Sequence, residues 1–237
     1  MNAKGKTSIK ESITMMTGTT IMQLAGVSAM LAGLCFIIIG MFHPENVPSS
    51  VITATWVNVH IAATALGFFG LFGMVGLYAR QKEKIGWLGL AGLLLFGVWF
   101  VLISVFSYIE AFVLPRLATE SPKFVEGFLG MFNGIPSEVD LGILPTLWNL
   151  SGPMIILGSL LFGIATFRAG ILPRWAGGLL AIAAILIPVG GMFPLEYQAK
   201  IAMIPVGLAM AWLGYALFAE RGEKTSEFVK LNSGQVA

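Results

Sequence analysis

The chain has 237 residues, of which 57% are hydrophobic and only 11% are charged, with a formal net charge of +2. Soluble domains carry about 25% charged residues, because their exterior needs polar cover. The composition therefore excludes a soluble globular enzyme, a disordered chain and a nucleic-acid-binding protein, and it predicts a membrane protein.

Six apolar segments are long enough to cross a bilayer, whose hydrocarbon core of about 30 Å needs about 20 helical residues. These runs are continuous rather than alternating, which predicts helices and not strands. The predicted spans are residues 21–42, 53–79, 86–113, 146–167, 173–193 and 198–219. The fold class is therefore an all-α polytopic bundle of six transmembrane helices within residues 21–219.

The first predicted span follows a polar segment, residues 1–20, which contains three lysines. A basic stretch before an apolar one is also typical of a signal peptide, but this apolar run is long enough to span and no small-residue cleavage motif follows it. We therefore expect a retained first helix. The single cysteine, Cys35, lies within it, which excludes an intrachain disulfide.

Basic residues are concentrated on one side of the predicted spans. Eleven of the 14 are Lys4, Lys6, Lys10, Arg80, Lys82, Lys84, Arg168, Arg174, Arg221, Lys224 and Lys230. By the positive-inside rule this side, with both termini, is cytoplasmic. Seven acidic residues face the outside: Glu45, Glu110, Glu120, Glu126, Glu138, Asp140 and Glu196. This asymmetry is either the usual insertion bias or an acidic mouth that attracts a cation.

One outer loop is long, and it covers residues 114–145. Ser121 and Pro122 are typical of a helix start, and apolar residues then recur at helical spacing. This predicts a short amphipathic helix that either lies on the outer leaflet or packs on the ends of the spans. The tail, residues 220–237, has mixed charge and is expected to be cytoplasmic and frayed.

A weak internal repeat relates the second and third spans to the fourth and fifth. The matched positions are Trp56 with Trp148, Leu71-Phe72-Gly73 with Leu161-Phe162-Gly163, and Trp87 with Trp175. Both hairpins would enter from outside, so the pattern predicts a parallel duplication, whereas many transporters have inverted repeats. Chance recurrence in apolar sequence is the equal alternative.

Small residues predict where helices approach one another closely, since helices in lipid pack through such contacts. In the first span, Gly26, Ala29, Gly33 and Gly40 form a seam at heptad spacing. We expect this seam to contact another helix, whose identity the sequence does not specify.

Polar residues gather at the outer ends of the spans, and we find no charged residue near the midplane, which argues against ion-coupled transport. The candidate ligand-binding cluster is Trp56, His60, Ser107, Glu110 and Asn149. His60 lies roughly 9 Å inside its span. In the structural alternative, His60 is a neutral imidazole bonded to Asn149, a serine or a carbonyl, and Glu110 is solvated among the headgroups.

His43 and His60 are the candidate metal ligands, since imidazole with a carboxylate can bind a divalent ion or move a proton. No two ligands are fixed on one helix, and the two histidines differ in depth, which disfavours bis-histidine haem. We therefore expect no resident cofactor, with haem or a divalent metal as the alternative.

The strings at 56–60 (WVNVH), 76–92 (GLYARQKEKIGWLGLAG), 161–177 (LFGIATFRAGILPRWAG) and 211–218 (AWLGYALF) resemble a loose group of small bacterial six-helix integral membrane proteins without an assigned activity. The resemblance implies a bacterial source and the inner membrane. It implies no activity and no functional residue.

The leading functional hypothesis is a non-catalytic accessory, regulatory or resistance component that binds a lipid, an apolar small molecule or a partner protein. One alternative is a passive carrier for an uncharged or hydrophobic solute, and another is an outward-facing metal or haem redox site. Expected partners are membrane lipids, a second copy or another membrane protein, and not nucleic acid.

Overall fold

The computed structural model describes the backbone of residues 3–193 and 195–233 and the side chains of residues 18–193 and 197–220. All regular elements in these ranges are helices, which confirms the predicted all-α class. They are α1 (Ala3–Phe42), α2 (Pro48–Val51), α3 (Ala54–Tyr108), a π turn (Ile109–Val113), α4 (Leu114–Glu120), α5 (Pro122–Phe132), α6 (Leu144–Ala169), α7 (Arg174–Gly190) and α8 (Leu195–Ser233).

Four helical stretches of the described chain are long and apolar enough to cross a membrane. They are Gly18–Phe42, Ala54–Glu120, Leu144–Ala169 and Tyr197–Glu220. The helix Arg174–Gly190 is also apolar but has only 17 residues. Together these helices indicate a membrane protein, as the composition predicts.

The stretch Ala54–Glu120 has 67 residues and reverses direction at Gly86. A straight helix of that length would extend about 100 Å, far beyond a hydrocarbon core of about 30 Å. Gly86 interrupts the helical backbone with φ +61° and ψ −165°. The two halves then pack antiparallel, and the Ser104 hydroxyl donates to the Thr64 carbonyl at 2.8 Å. Residues 80–85, which hydropathy predicts to be a connection between two spans, instead continue the helix to this glycine.

The long helices form a closed ring in which each packs on its neighbours in chain order and α1 closes on α8. The predicted seam of α1 divides between two partners. A Cβ on Gly33 would lie 2.5 Å from the Gly207 carbonyl of α8, and one on Gly26 would lie 2.8 Å from that of Gly214. Ala29 meets Gly73 of α3 equally closely. Small residues thus bring three backbones into contact, as expected for helices in lipid.

Aromatic side chains fill the space between α1 and the second half of α3. Phe36 stacks on Trp99 with ring centroids 5.6 Å apart, and Phe96 stacks on Phe100 at 4.5 Å. All four side chains are buried, three of them completely. This part of the interior is therefore packed rather than open.

The helix α5 begins at Pro122, as predicted, and its position decides between the two expected environments. Its apolar face is buried against the ends of the long helices, in a second core with Trp56 and Phe106. Phe128 and Phe132 lie within aromatic contact distance of Phe106. The helix therefore packs on protein, where it caps one end of the bundle. Ser121 makes no side-chain cap hydrogen bond, contrary to its expected role.

The opposite end of the bundle contains an ion pair in which Arg80 Nε donates to Glu220 at 2.8 Å. Beyond Glu220 the backbone of α8 stays helical to Ser233, in the segment that was expected to be frayed. The basic side chains predicted at Lys4, Lys6, Lys10, Arg221, Lys224 and Lys230, and that of Glu196, lie outside the described side chains.

Candidate functional site

The first turn of α3 positions two of the predicted site residues, Trp56 and His60. The Thr53 side chain accepts from the Trp56 backbone N–H at 3.2 Å, which fixes the start of this helix. Residues four apart share a helix face, and the Trp56 and His60 rings are in contact, tilted by 37° with centroids 4.2 Å apart. Both side chains are buried, with Trp56 fully enclosed and His60 1% exposed.

Glu110 lies beside Trp56 and His60, although it comes from the π turn that follows the second arm of the hairpin. Such turns add a residue to one helical turn and recur at functional sites. The Trp56 indole Nε1–H donates to the Glu110 backbone carbonyl at 2.8 Å. Glu110 is 5% exposed, so the expectation that it is solvated among headgroups is wrong. Helix α5 and the apolar residues beneath it enclose this end of the bundle.

The His60 and Glu110 side chains face each other inside this enclosure. His60 Nδ1–H donates to the Trp56 carbonyl at 2.7 Å, which confirms a carbonyl partner among those expected. Its Nε2 lies 3.3 Å from Glu110 Oε1 and has no hydrogen-bond partner of good geometry. The pair therefore places a positioned imidazole nitrogen beside a carboxyl group inside the bundle end.

His43, the residue after α1, completes the cluster on the side nearer solvent. Its ring contacts the His60 ring edge to face with centroids 5.1 Å apart, and its Nδ1–H donates to the Pro44 carbonyl at 2.7 Å. Burial lowers the pKa of His43, the neighbouring His60 lowers it further, and Glu110 and the Pro44 carbonyl oppose these effects. His43 is therefore neutral at pH 7.

Stability should respond to this lowered pKa with a defined sign. The unfolded chain takes a proton on His43 near pH 6.5, whereas the folded chain takes it at lower pH, so stability is lost as pH falls below about 6.5. We expect His43→Gln to lose less thermal stability than the wild type between pH 7 and 5, as measured by unfolding in detergent. Parallel curves for the two proteins would contradict this assignment.

The other two predicted site residues, Ser107 and Asn149, differ from each other in burial. Ser107 is buried at 1% exposure on the same helix as Glu110. Asn149 is exposed, and His60 Nδ1 bonds to the Trp56 carbonyl rather than to Asn149. The structure thus brings together His43, Trp56, His60 and Glu110 from three separate parts of the chain.

Metal or haem ligation by His43 and His60 is the alternative that the sequence predicts for this cluster. Among them, no three His, Cys, Asp or Glu side chains form a group that could hold a metal ion. The His43 and His60 rings contact each other directly, which leaves no space for a porphyrin plane between them.

Sequence reasoning did not find an apolar recess beside this cluster. The recess has a volume of about 210 Å³ and is lined by Pro48, Ile52, Ala118, Thr119, Pro122 and Val125. Three short helices, α2, α4 and α5, supply these residues, and their mutual packing has no periodic signal in the sequence. Val125 belongs to the same buried core as Trp56, so the recess and the His60–Glu110 pair adjoin one core.

Comparison of the chain with protein-family models, with curated proteins and with solved structures found no match.

Proposed function

We propose that this chain is a bacterial inner-membrane protein with six membrane-crossing segments and both termini in the cytoplasm, and that it acts as a non-catalytic lipid-binding protein. The reversal at Gly86 divides Ala54–Glu120 into two antiparallel arms. With Arg174–Gly190 as a short crossing, the count becomes six. The basic residues at the end opposite α5 support its cytoplasmic assignment.

Cysteine accessibility tests this topology in a Cys35→Ala background. Exposed positions on the two faces are replaced singly: Glu138→Cys near α5, and Lys84→Cys and Arg168→Cys at the opposite end. We expect an impermeant maleimide to label Glu138→Cys in intact spheroplasts and to label the other two only after permeabilisation. Labelling of Lys84→Cys in intact spheroplasts would overturn the assignment.

The apolar recess is the observation that supports lipid binding. Its lining is almost entirely apolar, and Ile52 at its side is 70% exposed. Pockets for drug-sized ligands have volumes of about 300–1,000 Å³, whereas this recess has about 210 Å³. It therefore suits part of an acyl chain better than a whole small molecule. In the proposed topology the recess lies at the outer end of the bundle, next to the outer leaflet, whose acyl chains begin just beneath the headgroups.

Filling the recess should remove lipid binding. We expect Ala118→Trp to lower the affinity of delipidated protein for phosphatidylethanolamine by at least about tenfold, a change of about 1.4 kcal/mol. Native mass spectrometry during a lipid titration measures the occupancy. Ile143→Trp is the matched control, because Ile143 is 66% exposed outside the recess and should leave the affinity unchanged.

Two results would contradict lipid binding at the recess. One is wild-type protein that retains no lipid under these conditions, and the other is an Ala118→Trp affinity equal to that of the Ile143→Trp control. A bound mass that corresponds to another protein chain would instead support the partner-protein alternative.

A passive carrier for an uncharged solute has less support from the described interior. Transport needs a passage through the bundle, whereas the stacked rings of Phe36, Trp99, Phe96 and Phe100 occupy the space between α1 and α3. Close backbone contacts between α1 and α8 leave no gap along that seam.

A further inference from the structure

The turn between α6 and α7 brings two arginines together at the end of the bundle opposite α5. Gly170 ends α6 in the left-handed conformation, and its backbone N–H donates to the Thr166 carbonyl at 3.2 Å. A Cβ on Gly170 would lie 2.9 Å from Arg174 Nε, at the start of α7. The Arg174 side chain therefore folds back toward the last turn of α6, which contains Arg168.

Two lysines of α3 lie at the same end of the bundle as this turn. The buried Gln81 Nε2 donates to the Thr166 hydroxyl at 3.3 Å, which fixes this part of α3 against the end of α6. Four basic side chains are exposed here, and we call them the basic patch: Lys82, Lys84, Arg168 and Arg174. They come from three helices, so the patch exists only in the folded bundle.

The positive charge of the basic patch is not cancelled by the described part of the chain. The ion pairs of the described side chains include no member of the patch. Arg80, the preceding cation of α3, pairs with Glu220, and Glu83 is the acidic residue within the same stretch of α3. Guanidinium and ammonium groups bind phosphate through charge-assisted hydrogen bonds, so a patch of this composition attracts a phosphate-bearing anion.

Exposed tryptophans beside the basic patch indicate its depth in a bilayer. Trp87 is 84% exposed and follows the reversal at Gly86, and Trp175 is 72% exposed and follows Arg174. Exposed tryptophan is typical of the interface between hydrocarbon and headgroups. Helix α7 has 17 residues and spans about 26 Å, less than a hydrocarbon core of about 30 Å. Arg174, its first residue, is thereby held at the level of the headgroups.

We propose that the basic patch binds the headgroup of an anionic phospholipid of the cytoplasmic leaflet, and that Arg168 and Arg174 contact its phosphate. The leaflet rests on the proposed topology, whereas the site itself lies at the opposite end of the bundle from the apolar recess. The recess contacts an acyl chain, which all phospholipids have. The patch selects by net charge, because the ammonium group of phosphatidylethanolamine cancels its phosphate charge and the headgroup of phosphatidylglycerol does not.

The test titrates the delipidated full chain with phosphatidylglycerol and with phosphatidylethanolamine of identical acyl chains, and native mass spectrometry measures both affinities. We expect the wild type to bind phosphatidylglycerol more tightly. The double variant Arg168→Gln/Arg174→Gln should lower this affinity by about tenfold or more and leave that for phosphatidylethanolamine unchanged. Arg116→Gln/Lys123→Gln is the matched control, because it removes two exposed positive charges from the other end of the bundle and should leave both affinities unchanged.

Equal wild-type affinity for the two lipids would overturn the proposal, and this comparison needs no variant to fold. It would mean that the basic residues act in membrane insertion alone. An equal loss of phosphatidylglycerol affinity in the two double variants would also overturn it, since the attraction would then depend on total charge rather than on the patch. Binding in detergent does not depend on orientation, and the recess is tested by Ala118→Trp with phosphatidylethanolamine. Failure at the patch is therefore distinguishable from failure of the topology or of the recess.

Discussion

Gly33→Ala is expected to destabilise the folded bundle by about 1–3 kcal/mol or more, and Gly33→Leu is expected to prevent its assembly. The added Cβ would lie 2.5 Å from the Gly207 carbonyl oxygen and 2.7 Å from the Ala211 backbone nitrogen. Both obstacles are backbone atoms, so no side-chain rotation relieves them and α1 must move away from α8. Reversible unfolding in mixed micelles with increasing SDS measures the loss.

A matched control lies in the same helix, because a Cβ on Gly18 would meet no atom within 4 Å. We expect Gly18→Ala to be neutral or to stabilise by up to about 1 kcal/mol, since alanine is the better helix former. Equal stability of Gly33→Ala and Gly18→Ala would show that α1 and α8 do not pack at this seam.

The second large effect is expected at Gly86, although this residue is exposed and a Cβ there would meet no atom within 4 Å. The cause is the backbone, since φ +61° with ψ −165° lies in a region used almost only by glycine. We expect Gly86→Ala to cost about 1–3 kcal/mol of unfolding free energy and to lower the yield of folded protein. The same SDS titration, with recovery from the membrane fraction, measures both.

Gly97→Ala is the control within the same hairpin. Its Cβ would have ordinary contact with Leu71 at 3.4 Å, and its backbone is helical, so it should match or exceed wild-type stability. If Gly86→Ala were as stable as Gly97→Ala, the hairpin would not reverse at Gly86.

Hydropathy was sufficient to predict the long apolar helices, because it depends on residue type and position along one chain. A helix rises about 1.5 Å per residue, which also placed His60 and Glu110 near the same end of the bundle. Depth along a helix axis can be calculated in this way. Rotation about that axis cannot, because it depends on the side chains of the partner helix.

The burial of Glu110 could not be predicted from the sequence. The sequence placed it at the outer interface, and a carboxylate in that position is ordinarily solvated. Two features bury it instead: a π turn that turns Glu110 toward His60, and helix α5, which packs over the bundle end. The π turn has no periodic signal because it breaks the helical repeat, and the periodicity of α5 predicts a helix but not its position, which depends on distant contacts.

The seam of α1 was likewise predictable only in part. The sequence by itself determined that Gly26, Ala29 and Gly33 would allow a close approach, since missing side-chain volume is a property of each residue. Only the tertiary structure decided that Gly26 and Gly33 meet α8 while Ala29 lies between Gly73 of α3 and Gly214 of α8. Many helices have a face of small residues that could pack against such a seam. The whole ring determines which helices pack together, because every long helix must pack against two neighbours at once.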